Sequence, residues 1–159
     1  MKIISRLAYC PEKSNVRIIK IDGGLGAQEN FKRFGLKLSD NVQVIKNSLS
    51  GHLFIETNAE LIEMGREFSY KVIVETNNVL DCPLDKIKIG DIAIINKVKA
   101  KGEIRRRLMD MGLVKNTTIE LIRKAPLGDP IEIRVNNFNL SLRLEEAETI
   151  LVSPIKIKY

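Results

Sequence analysis

The sequence predicts a mainly β protein made of two small barrel modules in tandem, each carrying one short α-helix. Three observations lead there. First, the apolar positions of the 159-residue chain repeat. Setting Gly35 on Gly112, an offset of 77, brings Ile18 onto Ile95, Phe31 onto Leu108, Val42 onto Ile119, Val44 onto Leu121 and Gly51 onto Gly128. Past Gly51 the offset becomes 78, and Leu53, Ile55, Met64, Val72 and Val74 fall on Ile131, Ile133, Leu142, Ile150 and Val152. Self-similarity at one period means two copies of one supersecondary unit. Second, most apolar runs alternate with period two, the mark of half-buried strands. Third, one segment in each copy has helical spacing and ends on a glycine.

The elements follow in order. Val16–Ile21 is the first strand, rich in the β-branched residues that suit a pleated, half-buried surface. Ala27, Phe31 and Phe34 stand at i, i+4 and i+7, one apolar stripe of a short helix. Gly35 ends it, because a left-handed backbone costs glycine little. Strands around Val42–Ile45 and Leu53–Ile55 come next, Glu60–Glu67 reads equally as strand or helix, and Val72–Val74 closes the copy. In the second copy the first strand is Asp91–Val98 and the helical stripe is Ile104, Leu108 and Met111, ended by Gly112. Thr118–Arg123, Ile131–Val135 and Asn139–Leu144 are strands, with Asn136-Asn137 as a hairpin tip because Asn tolerates positive φ. Glu145–Glu148 makes one helical turn before the closing strand Thr149–Ser153. About five short strands and one helix in roughly 75 residues suit a small barrel, whose closure removes exposed edges. The modules are set at 1–78 and 79–159, with the join near Thr76–Asp81. Each buries a limited core on its own.

Composition narrows the function classes. No run approaches the roughly 18 apolar residues of a membrane span, and Met1–Cys10 has no apolar segment of secretory-signal type. The expected location is therefore the cytoplasm, where Cys10 and Cys82 stay reduced. The net charge of +6 divides into +2 for Met1–Leu80 and +4 for Asp81–Tyr159. Such an excess permits an acidic partner and requires none. No catalytic pattern is present. His52 is the single histidine, Gly23-Gly24-Leu25-Gly26 lacks the Lys-Ser/Thr of a phosphate loop, and no C-x-x-C or H-x-x-x-H spacing occurs. No cofactor is expected, and metal contact is at most a weak one to a transition metal. Cys10-Pro11 and Cys82-Pro83 both precede their modules, which suggests two thiols at equivalent sites.

Leu108, Met111-Gly112-Leu113, the run Ala125-Pro126-Leu127-Gly128-Asp129-Pro130-Ile131, Leu140, Leu142, Arg143 and Ala147 carry a resemblance. With Pro83-Leu84 and Gly90-Asp91 before them, they resemble the FeoA (ferrous iron transport protein A) domain. The resemblance covers Cys82–Val152 well and Val16–Val74 weakly, since Ser48–Leu53 stands where the family has its Pro-Leu-Gly-Asp-Pro loop. Lys115-Asn116 stands where the family usually has Pro-Gly, and Asn can take the same left-handed turn. The resemblance implies an SH3-like barrel for each module. It also implies a non-enzymatic cytosolic adaptor of ferrous iron uptake, acting with FeoB, a membrane permease that has a G-protein domain. Nucleic acid is not expected as a partner, membrane contact would come only through the permease, and self-association is allowed. The alternative is a regulatory or nucleic-acid-binding module related to the C-terminal domain of iron-dependent repressors. The chain shows no helix-turn-helix, and its Phe31 and Phe34 lie on a core stripe rather than free to stack on bases.

Two clusters are the expected partner contacts. Arg105, Arg106 and Arg107 project from the helix away from its apolar stripe, with Lys97, Lys99 and Lys101 just before them. Arginine suits such a role because its planar fork binds carboxylates bidentately. Leu127, Gly128 and Asp129 form the tip of a loop stiffened by Pro126 and Pro130, in which Asp129 is expected to bond its own backbone as an Asx turn. The first copy, lacking this loop, is expected to support the second rather than duplicate its binding.

Overall fold

The computed structural model describes residues 1–49, 51–58 and 60–159. Ser50, within the Ser48–Leu53 segment, lies outside them. Backbone contacts divide the chain into Met1–Leu80 with Tyr159, and Asp81–Lys158.

The first unit contains β1 (Ile3–Arg6), β2 (Asn15–Ile21), α1 (Gly24–Arg33), β3 (Asn41–Asn47), β4 (Leu53–Thr57), β5 (Glu60–Met64), α2 (Arg66–Ser69) and β6 (Val72–Thr76). Its antiparallel sheet has the order β1-β6-β2-β3-β4-β5. Val16 and Ile18 of β2, Val42 and Val44 of β3, Leu53 and Ile55 of β4, Ile62 and Met64 of β5, and Val72 and Val74 of β6 all enter one buried cluster. In a flat sheet β5 and β6 would stand four strand spacings apart, roughly 19 Å. Their side chains share a core only because the sheet coils around it, which is the small-barrel arrangement expected of this fold class.

The second unit contains β7 (Cys82–Pro83), β8 (Ile92–Val98), α3 (Gly102–Asp110), β9 (Thr118–Lys124), β10 (Ile131–Val135), β11 (Phe138–Leu142), α4 (Leu144–Ala147) and β12 (Ile150–Lys156). Its strand order, β11-β10-β9-β8-β12-β7, is the first sheet read from the other end. Ile95, Ile119, Leu121, Ile131, Ile133, Leu142, Ile150 and Val152 are buried inside it. Asn136 and Asn137, at φ 50° and 71°, turn the β10–β11 hairpin.

The repeat holds at the level of single hydrogen bonds. The Ile18 and Ser39 bonds, N–H of Ile18 to Asp40 O at 2.9 Å and N–H of Ser39 to Ile18 O at 2.7 Å, recur as Ile95 to Thr117 O at 2.9 Å and Asn116 to Ile95 O at 2.8 Å. Lys13 to Val44 O recurs as Gly90 to Leu121 O, both at 2.7 Å. Asp22 to Lys71 O (2.8 Å) recurs as Lys99 to Thr149 O (2.7 Å), with the offset now 78 at the acceptor. Gly35 and Gly112, at φ 74° and 88°, both leave their helices in the left-handed region, and Asn116 sits at φ 71° as its turn requires.

Three expectations are revised. Each sheet has a sixth strand, β1 or β7, laid against the last strand of its unit. Ile104 does not lie on the core stripe: it is 44% exposed, while Leu108 is fully buried. The equivalent position in α1 holds Ala27, whose methyl is covered; the larger Ile104 extends past that cover. The two thiols are not equivalent. The turn bond Cys10 N–H to Leu7 O recurs as Ile87 N–H to Leu84 O, so Cys10 matches Ile87, and Cys82 on β7 matches Ser5 on β1.

Candidate functional site

The loop between β9 and β10 is closed on itself. The Gly128 N–H donates to Ala125 O at 2.7 Å and the Ala125 N–H to Pro130 O at 3.0 Å, with Gly128 at φ 85° and a cis Asp129–Pro130 peptide. These bonds thrust Leu127 into solvent, where it is 97% exposed. Asp129 does not make an Asx turn. Its Oδ1 accepts the Leu144 N–H at 3.0 Å, tying the loop to the first turn of α4.

The three arginines have three different settings. Arg105 folds back along α3 and donates from Nη1 to Val98 O at 2.6 Å. Arg107 pairs with Glu146 of α4, whose other carboxylate oxygen accepts the Arg143 N–H at 3.0 Å. Arg106 makes no ion pair or hydrogen bond among the described residues, so its guanidinium is free for a partner. Glu146 is the residue that sequence reading missed: Glu145-Glu146 looks like a solvated pair, yet Glu146 is only 5% exposed.

The structure brings Arg107 and the loop together. Arg107, Met111, Pro130, Ser141, Arg143 and Glu146 line one cleft of about 350 Å³. Pro130 and Ser141 also line a second hollow, about 460 Å³, whose other wall carries Ala125 and Pro126. Leu127, Gly128 and Asp129 line neither hollow, although Pro126 and Pro130 on either side of them do. Arg105 lies outside both, and so does Arg106.

The first unit ties its loop by other chemistry. Arg66, at the position of Leu144, donates from Nη1 to Asn47 Oδ1 at 2.8 Å and to Ser48 O at 3.1 Å. The Arg107–Glu146 pair has no counterpart: Asn30 and Phe68 occupy those positions, and Phe68 packs on Phe34 with ring centroids 5.3 Å apart.

The groups with metal or redox chemistry lie apart from this face. His52 Nδ1 meets Glu63 Oε1 at 2.5 Å on an exposed face of the first unit. Cys10 and Cys82 are both buried, and neither is in a disulfide. Burial pushes the Cys10 thiol up to about 12, which keeps it protonated and unreactive at neutral pH. Among the described residues no three His, Cys, Asp or Glu side chains gather as a metal site, and no helix is long and apolar enough to cross a membrane.

Fold and surface together define a class: tandem small-barrel modules of which the second carries a stiff projecting loop and a basic helix. The chain belongs to the FeoA family. The FeoA domain model matches residues 82–154. A Methanocaldococcus jannaschii protein assigned as Fe(2+) transport protein A is 33% identical over 69 residues, which are 43% of this chain and 83% of that one. A Porphyromonas gingivalis Fe(2+) transport protein A/Fe(2+) transporter FeoB fusion protein is 40% identical over 72 residues, 45% of this chain. The chain spans only 8% of the length of that fusion. The solution structure of iron(II) transport protein A from Clostridium thermocellum aligns over 95% of this chain and 88% of its own, with TM-score 0.53 and 14% identity, a likeness of fold.

Proposed function

We propose that this protein is a non-enzymatic accessory of ferrous iron uptake that docks, from the cytoplasm, onto a FeoB-type permease. The observation that carries the reading is the fusion relative, in which a segment 40% identical to 72 residues of this chain shares one polypeptide with a ferrous iron transporter. Covalent linkage raises the effective concentration of two parts that work together. The contact would be made by Leu127 at the loop tip, Gly128 and Asp129 holding its shape, and Arg106 as a cation without a partner among the described residues. Arg105 and Arg107, spent on Val98 O and Glu146, would shape the surface rather than bind through their charge. Fe²⁺ is the cargo of the permease and need not touch this chain.

Calorimetric titration of the full chain against the cytosolic G-protein domain and core loops of a FeoB-type permease tests this. Saturable binding is expected, weakened at least about tenfold, some 1.4 kcal/mol, by Leu127→Asp and by Arg106→Glu. Absent binding overturns the permease reading. Binding that both variants leave unchanged removes this face from it.

A further inference from the structure

The first unit carries a groove of its own, about 680 Å³, between α1 and β2. Its floor is apolar and buried: Ile21, Phe31 and Leu36. Leu38 extends the apolar surface outward, 57% exposed. Three lysines line the rim, Lys20, Lys32 and Lys37, and among the described residues no carboxylate does. One difference between the copies lies beside this groove. In the second unit Arg105 crosses from α3 to the end of β8 and bonds Val98 O at 2.6 Å. The equivalent pair in the first unit is Gln28 and Ile21, and Gln28 makes no such bond among the described residues. The first copy therefore lacks the side-chain bridge that Arg105 makes in the second.

We propose that this groove binds an acidic, amphipathic segment of a partner protein, with one or two large apolar side chains seated on Ile21, Phe31 and Leu36 and flanking carboxylates on the lysine rim. Charge selects the occupant: three cations around an apolar floor match apolar residues bracketed by Asp or Glu. Openness selects a protein segment over a small amphiphile. Small-molecule sites enclose most of their ligand, whereas Lys20, Gln28, Lys32, Lys37 and Leu38 are all exposed here. The proposal stands apart from the permease reading, since it uses the other unit.

Fluorescence anisotropy of the full chain with a fluorescein-labelled peptide, a Leu-Phe pair flanked on each side by two Glu, tests it. Saturable binding is expected, falling steeply with added salt, and absent for the same peptide with Lys in place of Glu. Gln28→Arg, which rebuilds the bridge of the second unit, should weaken binding about tenfold or more, and so should Lys32→Glu with Lys37→Glu. Both variants change exposed positions, and unchanged thermal midpoints would show that the fold is intact. No saturable binding, equal binding of both peptides, or indifference to Gln28→Arg overturns the proposal. Displacement of the peptide by palmitate at micromolar concentration, or a sedimentation dimer that these variants dissolve, would assign the groove to a lipid or to a second copy and overturn it as well.

Discussion

Arg105, Arg106 and Arg107 are successive residues of one helix, and their surroundings give them separate jobs. Arg107 faces a carboxylate that is nearly buried, and a buried charge left without its partner is costly. Arg107 is itself 60% exposed, so solvent screening reduces that cost. Arg107→Ala is expected to lower stability by about 1 kcal/mol, read as a lower urea midpoint, while Arg106→Ala leaves the midpoint unchanged. Equal effects would show that the Glu146 pairing is not structural. Cys10 gives a second residue-level outcome. Its thiol rises from 9.0 to about 12 because burial disfavours the thiolate. Below pH 9 both folded and unfolded chains hold the proton, and the contribution is intact. Between pH 9 and 12 the unfolded chain ionises first, so stability falls by up to about 1.4 kcal/mol per pH unit from this group. Cys10→Val should remove that component, making the variant's urea midpoint decline less steeply than wild type above pH 9. Matching slopes would mean the thiol is more accessible than its burial implies. Neither residue's setting is readable from spacing, because Arg107 meets Glu146 across 39 positions of chain and Cys10 is enclosed by strands far from it in sequence.

The loop between β9 and β10 shows what is local and what is not. Two prolines, a glycine at φ 85° and an exposed leucine make a stiff projecting turn, and all of that lies within six residues. The anchor of the loop is not local: Asp129 accepts from Leu144, fifteen positions on. Gly128→Ala would meet no neighbouring atom within 4 Å, so its penalty is the backbone term alone, about 1–2 kcal/mol for a left-handed non-glycine residue. Asp129→Ala should cost about 1 kcal/mol through the lost cap on α4. Both should weaken permease binding beyond Leu127→Ala, because they release the loop's shape; thermal melts and the same calorimetric titration read the two effects. If both bind as wild type does, loop rigidity has no part in docking. The strands behave likewise. Those with alternating apolar residues were legible to within about three residues, the end of β12 being the largest difference. β1 was not, because it buries Ser5 and Arg6, and Arg6 is held there by donating to Tyr70 O at 2.8 Å, 64 positions away. A buried polar strand has no hydrophobic period to find.

At the scale of the molecule, the repeat was the most legible feature, since a shared fold forces the same apolar positions twice. What it hid was divergence in the grooves and ties, because Gln28 against Arg105, and Phe68 against Glu146, are substitutions on a common backbone. That backbone makes a claim about cooperativity. Each unit has its own six-stranded sheet, and the strands of that sheet supply its buried apolar residues. Destabilising one core should therefore open one unit. Ile55 and Ile133 are equivalent, both fully buried, and Ile→Ala at such a site costs about 2–5 kcal/mol. By hydrogen exchange with mass spectrometry, Ile55→Ala should raise exchange across β2 to β6 and leave β8 to β12 protected. Ile133→Ala should do the reverse. Such a pattern would match two folding units in one chain, each able to lose or keep a binding surface without unfolding the other. Parallel loss of protection in both sheets from either substitution would instead make the pair one cooperative body, and the independence of the two binding faces would go with it.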